Sequence, residues 1–284
     1  MIFVDPPFMK VADTLDASVA GLRDSDLKSR LLARKSDLMV AEKAYTDAAD
    51  DGTLHVLALA EQAAEKQRPD PDGDCMRTLY SEGLVKRSGG RAKYDELLAR
   101  APFGRCLLCG NGEVASLDHH LPKDSLPLYT VCPVNLVPAC GKCNLAKGNR
   151  IGALPGQRTL HPYYDRPGDT GRYLIADVID WIVQYRIQPL PDWDDELTQR
   201  VIHHFRTFNL AQRYAEFAVS PLAACQWLHQ RVWLASGRNS LAALLLEDAD
   251  QHAATHGPNA WDTALRYGLA HSNWYLNGGV NESQ

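Results

Sequence analysis

Apolar positions recur at helical spacing through residues 1 to about 70, as in Leu22, Leu27, Leu31, Leu32, Leu38 and Met39, which predicts amphipathic helices. Asp24-Ser25-Asp26 offers a cap for one helix start. Asp50-Asp51-Gly52-Thr53 reads as a turn, followed by a second helix over roughly 54–66. The run Arg68-Pro69-Asp70-Pro71-Asp72-Gly73-Asp74 is dense in turn formers and makes a candidate boundary. A short helix is predicted over 91–101, with Tyr94, Leu97 and Leu98 on one face, ended by Pro102-Phe103-Gly104. Residues 175–182 are apolar enough for a core helix or a strand. Further on, 197–218, 221–235, 240–252 and 260–269 carry i, i+3, i+4 apolar patterns. The tail after Asn277 is rich in Gly, Asn and Ser and is expected to fray. No internal repeat interrupts this order. It divides into a helical N-terminal region (1–74), a middle region (75–165) and a helical C-terminal region (166–284).

A chain of 284 residues fits one large or two modest domains. Its 45% hydrophobic and 23% charged content is that of a soluble globular protein. No apolar run is long enough to span a bilayer. The start, Met1-Ile2-Phe3-Val4-Asp5-Pro6-Pro7, lacks the basic and apolar regions of a secretory signal, so a cytoplasmic location is expected, with no membrane partner. The net charge of -5 is unevenly spread: residues 85–150 hold ten basic and five acidic side chains. A basic island in an acidic chain suits a phosphate-facing surface, although a solvated face with chance asymmetry reads the same way.

Seven cysteines without a secretory signal do not suggest a disulfide framework. Four fall into two C-x-x-C pairs, Cys106/Cys109 and Cys140/Cys143. Two such knuckles can surround one tetrahedral Zn²⁺ with four thiolates, and a closed four-sulfur site is structural, because no coordination position stays open for chemistry. A thioredoxin-like use would leave the second pair unexplained. Cys132 has no partner at knuckle spacing and reads as a small buried hydrophobe.

Between the knuckles lie Leu117-Asp118-His119-His120-Leu121-Pro122-Lys123 and Val134-Asn135-Leu136-Val137-Pro138-Ala139. After the second knuckle comes Asn144-Leu145-Ala146-Lys147-Gly148-Asn149-Arg150. Asp-His, then Asn-Leu, then Cys-x-x-Cys-Asn leading to Lys resembles, in order, the pattern of the HNH (ββα-metal) endonuclease family, with Asn144 where the last His commonly stands. The resemblance implies an α+β chain in which a zinc-stabilised ββα-metal core is embedded among helices. It implies metal-dependent hydrolysis of phosphodiester bonds, with DNA as the expected nucleic-acid partner. His119 would be the general base, since an imidazole titrates near neutrality. Asp118 and Asn144 would hold Mg²⁺ or Mn²⁺ through oxygen. Asn135 would brace the loop that positions His119. Lys147 and Arg150 would contact phosphates. On a regular strand Asp118 and His119 point to opposite faces, so a bend, or a backbone carbonyl orienting the imidazole, is expected. His120 suits packing better than service as a second base. His161 could return to the site or hold the Pro162-Tyr163-Tyr164 turn. The remaining histidines show no ligand spacing.

A wider likeness runs through Leu79-Tyr80, Lys93-Tyr94-Asp95-Glu96-Leu97-Leu98, His161-Pro162-Tyr163-Tyr164-Asp165 and 258–267. It resembles bacterial HNH proteins found beside phage-defence genes, such as those of Septu and certain retrons, where the nuclease partners an ATPase. Two rivals share the same residues: a non-catalytic zinc-stabilised nucleic-acid-binding or adaptor protein, and an RNase toxin.

Overall fold

In the computed structural model, residues 1–152, 154–168 and 171–282 are described, and they form two units, Met1–Asp165 and Arg166–Gln284. The N-terminal region is helical, with α1 (Val11–Ala20), α2 (Ser25–Ala33), α3 (Lys35–Asp50) and α4 (Leu54–Gln67); α4 matches the helix expected over 54–66. α1 buries Val11, Leu15 and Val19, one stripe at four-residue spacing. The Asp24 carboxylate caps α2 by accepting from the amides of Asp26 and Leu27 at 2.9 and 3.0 Å. α3 turns Leu38, Ala41, Glu42 and Tyr45 inward, and the buried Glu42 carboxylate accepts the Val11 amide at 2.9 Å.

The turn-dense run 68–74, read from sequence as a boundary, lies inside the first unit. Ion pairs hold it: Arg34 to Asp70 at 2.7 Å and to Asp72 at 3.4 Å, and Arg30 to Asp72. α5 (Gly73–Thr78), a π-helical turn (Leu79–Leu84) and α6 (Ser88–Leu98) follow; the π-helical turn and α6 pack with α1, and α5 packs with α2 and the π-helical turn. Side chains from 1–74 and 75–165 therefore share one core, in which Leu15, Leu31, Leu38 and Tyr45 join Leu79, Leu84, Leu97 and Leu136.

Two four-residue strands, β1 (Ser116–His119) and β2 (Leu136–Ala139), pair antiparallel, with Ser116 opposite Ala139 and His119 opposite Leu136. α7 (Gly141–Lys147) follows β2 directly. A loop over 120–135, containing short turns at Pro127–Tyr129 and Pro133–Asn135, joins the strands.

In the second unit the ambiguous run 175–182 is strand and turn, not helix: β3 (Leu174–Ile179) pairs with β4 (Ile182–Ile187). Asp180 and Trp181, at φ 52° and 61°, make the two-residue turn between them, the twist that closes a hairpin tightly. Alternate residues Leu174, Ala176 and Val178 are buried, as a half-covered strand requires. α8 (Asp195–Thr207), α9 (Leu210–His256), α10 (Trp261–His271) and α11 (Asn273–Leu276) complete this unit. The expected single helix over 197–218 is broken at Asn209, which is left-handed at φ 49°. The expected helices over 221–235 and 240–252 instead run together in α9, interrupted at Gly237, whose φ of 78° a side chain would resist. Pro221 sits inside α9 and not at a helix start. Residues 279–281 form a short turn with Val280 buried, so the tail is ordered at least that far. Among the described residues no helix is long and apolar enough to cross a membrane.

Candidate functional site

The first cysteine pair sits on a tight reversal. Arg105 and Glu113 bridge antiparallel, the Cys106 amide donates to the Gly112 carbonyl at 2.7 Å, and Gly110 turns the chain at φ 74°. The Leu107 amide donates to the Pro138 carbonyl at 3.1 Å, which ties this reversal to β2. The second pair opens α7, with the Cys140 carbonyl accepting the Asn144 amide at 3.0 Å. Hairpin and helix thus deliver Cys106, Cys109, Cys140 and Cys143 to one place. All four are buried, and their sulfurs lie within 4.8 Å of one another. Four thiolates around a tetrahedral zinc, with Zn–S of about 2.3 Å, stand roughly 3.8 Å apart, and the Sγ atoms of Cys109 and Cys140 are separated by 4.0 Å. Gly112 makes room for this packing. A Cβ there would meet the Cys140 sulfur at 2.8 Å, and its amide donates to the Cys109 sulfur at 3.3 Å. The donor set fits zinc.

Next to this cluster, β1 and α7 present a second group. Ser116 and Asp118, two residues apart, share one face of β1. Asn144 and Lys147, three apart on α7, reach that face: Asn144 Nδ2 donates to Ser116 Oγ at 3.0 Å, and Lys147 Nζ lies 3.4 Å from Asp118 Oδ2. Asp118 and Lys147 are both almost fully buried. Desolvation pushes the Asp118 carboxyl up to about 6, opposed by Lys147, and the same burial lowers the Lys147 ammonium, opposed by Asp118. Asp118 Oδ2 accepts no hydrogen bond among the described residues despite that cation. The carboxylate fits a hard cation, and the amide oxygen of Asn144 is the atom not used by Ser116.

His119 points to the other side of β1, is 8% exposed, and lies edge-on to Tyr80 with ring centroids 4.5 Å apart. Its Nε2 is 2.8 Å from the Thr130 carbonyl. A carbonyl can only accept, so Nε2 carries the proton and Nδ1 holds the lone pair. Burial pushes this imidazole down to about 3, against the pull of the Thr130 carbonyl, so the ring is neutral around pH 7.

Asn135 is fully buried and spans the loop. Its Oδ1 accepts the Leu121 amide at 2.6 Å, and its Nδ2 donates to the carbonyls of Leu121 and Tyr129, both at 3.0 Å. These bonds go to backbone, and Oδ1 also accepts from the buried Tyr45 hydroxyl at 3.3 Å. Asn135 is accordingly a positioning residue and not one that touches reacting atoms.

The other residues singled out in the sequence lie as follows. Lys147 does not face outward to phosphate; its ammonium is spent on Asp118 and on the His119 carbonyl. His161 is structural: its Nε2 is 3.0 Å from Tyr45 Oη and its Nδ1 accepts the Tyr163 amide at 3.2 Å. His120 stacks against that ring with centroids 4.1 Å apart, in the packing role expected for it. Arg150, beyond the end of α7, is exposed. Cys132 is buried, 1% exposed.

Sequence inspection missed Tyr80, which walls His119, and Thr130, which aims it. Tyr80 had been quoted only as part of the wider likeness. Thr130 acts through its carbonyl, for which no side-chain signal exists.

Compared with known proteins, the chain is 29% identical over 146 residues to protein ea31 of Escherichia phage lambda, a match covering 49% of this chain and 49% of that protein. The chain thus aligns with about half the length of this curated relative. No family model matches the chain, and no solved structure matches it.

Proposed function

We propose that residues 105–150 form the catalytic core of a metal-dependent phosphodiesterase of the HNH type, acting on DNA. One relationship carries this proposal: β1 sets Ser116 and Asp118 against Asn144 and Lys147 of α7, while the Thr130 carbonyl engages Nε2 of the adjacent His119 and leaves Nδ1 as the acceptor. The order strand, strand, helix, with a four-cysteine cluster tying hairpin to helix, supports it.

Hydrolysis of a phosphodiester needs a deprotonated water, charge compensation on the phosphate and a stabilised leaving oxygen. His119 Nδ1 takes the proton of the water. The Thr130 carbonyl holds the ring during that transfer and favours the imidazolium that forms, and an adjacent phosphate anion raises its affinity for a proton further toward neutrality. Asp118 and Asn144 would hold Mg²⁺ or Mn²⁺ through oxygen, and such an ion would supply Lewis acidity to the reaction when bound. Lys147 balances Asp118 and steadies the strand end through the His119 carbonyl. Asn135 keeps the loop in register, and Arg150 is the exposed cation available to a neighbouring phosphate. Zinc on the four cysteines holds the scaffold and takes no part in chemistry.

A second function, a zinc-stabilised nucleic-acid-binding or adaptor protein without catalysis, is favoured by the burial of His119 and by Lys147 on Asp118. The deciding experiment incubates purified protein with supercoiled plasmid, single-stranded DNA and structured RNA in Mg²⁺, Mn²⁺ or chelator. Nicking that needs the divalent ion and disappears in His119→Ala, with zinc content unchanged, supports the nuclease. Degradation confined to RNA selects a ribonuclease. Binding without cleavage selects the adaptor. Cytoplasmic location, a place in anti-phage defence and an ATPase partner belong to the same proposal, and co-purification with the products of neighbouring genes tests the last of these.

A further inference from the structure

Outside this site, a surface cavity of about 470 Å³ opens between α4, the segment 68–72 and the loop 125–129. Leu126 and Leu128 give it apolar walls. Polar atoms in its lining are left unsatisfied. Tyr129 is 1% exposed, and its Oη has no hydrogen-bond partner among the described residues; the same holds for Ser125 Oγ and Asp70 Oδ2. Protein interiors seldom leave such atoms unpaired.

The charge balance identifies the kind of group they await. Four carboxylates and two guanidiniums line the cavity. Arg34 is already engaged by Asp37, Asp70 and Asp72. Asp70 Oδ1 is likewise filled, by Arg34 at 2.7 Å and by the Asp72 amide at 2.9 Å, which leaves Oδ2 as a pure acceptor. Glu61 lies close enough to Tyr129 that its charge adds to burial in holding the phenol protonated. Arg68 is exposed in the lining, but four carboxylates outnumber the two guanidiniums, so the net negative charge of the lining disfavours an anion. A bare metal ion would leave the leucine walls uncovered.

We propose that this cavity binds a small organic cation, an amidinium or ammonium group on a flat apolar body, with its charge on Asp70 and Glu61 and its N–H groups on Tyr129 and Ser125. Concave, mostly apolar pockets with a few convergent polar groups are the usual form of such sites. The cavity also adjoins the loop that aims His119. Asn135 grips the Tyr129 carbonyl, and the next residue, Thr130, holds the His119 ring. Occupancy is therefore felt at that imidazole. The site stands on its own geometry, whether or not the chain is a nuclease.

Benzamidine is a suitable probe, with benzamide and benzoate as neutral and anionic counterparts, titrated into the full-length protein and followed by calorimetry and NMR. Benzamidine should bind about tenfold or more tightly than benzamide, benzoate should not bind, and the His119 ring resonances should shift. Tyr129→Phe and Glu61→Gln should each weaken benzamidine by about three- to tenfold, the worth of one hydrogen bond, without lowering Tm. No binding at millimolar benzamidine, equal binding of all three probes, or unchanged affinity in both variants overturns the site. Binding that leaves His119 resonances unmoved overturns the coupling.

Discussion

His119 Nε2 lies 2.8 Å from the carbonyl of Thr130, eleven residues further along the chain. That bond decides which nitrogen of the ring can accept a proton, and it depends on the 120–135 loop holding its shape. The loop in turn hangs on Asn135, whose amide satisfies three backbone groups at two points.

Asn135→Ala should therefore destabilise the first unit by about 3 kcal/mol, since it strands the Leu121 amide and two carbonyls in a dry interior. Any cleavage activity should fall with it. Thermal unfolding followed by far-UV circular dichroism checks the stability. An unchanged melting curve would mean the loop is held elsewhere.

Zinc should be present at one ion per chain and be bound by the four buried sulfurs. Cys109→Ser, or strong chelation, should unfold the first unit. The test exploits the tryptophans: Trp181, Trp193, Trp227, Trp233, Trp261 and Trp274 all lie in the second unit. Their fluorescence should be unaltered while circular dichroism loses helix. Gly112→Ala should weaken zinc retention too, because its Cβ would crowd the Cys140 sulfur. Wild-type protein free of zinc by atomic emission yet fully folded would contradict both expectations.

Lys147→Met should cost about 3 kcal/mol at pH 7, because Asp118, buried without its cation, must then either stay charged or take up a proton. Adding Asp118→Asn should recover part of that loss. A double-mutant cycle measures the coupling, and purely additive effects would show that the pair is energetically idle.

The second unit should lose stability in mild acid. His229 is buried, with Nδ1 2.8 Å from Tyr275 Oη, and burial lowers its proton affinity; Asp248 opposes that effect and Arg266 adds to it. The unfolded chain therefore binds a proton that the folded one refuses. Stability is complete above the ordinary histidine value of about 6.5 and declines as pH falls through it toward the lower folded value. His252, which pairs with Asp262 at 3.1 Å, is lowered in the same direction. Tryptophan-detected Tm should drop by about 2–4 °C between roughly pH 7.5 and 5.5, and His229→Gln should reduce the slope. A slope identical in the variant would assign the effect to His252.

Local chemistry determined what was legible in the residues alone. The spacing of two cysteines around a pair of residues dictates that both sulfurs reach one point, so Cys106, Cys109, Cys140 and Cys143 declared themselves. Helical periodicity over α1 to α4 and the Asp24 cap are also properties of neighbouring residues. What only the tertiary structure decided are relationships between distant segments. Residues 175–182 became a hairpin strand because α10 covers one face of it. The run 68–74 became an internal segment of the first unit, held where Arg30 and Arg34 reach its aspartates. Lys147 turned inward because burial set it against Asp118, and His119 was aimed by a backbone carbonyl. An orienting carbonyl for His119 could be expected from the alternation of the strand, but which carbonyl supplies it, like desolvation, leaves no mark on residue identity.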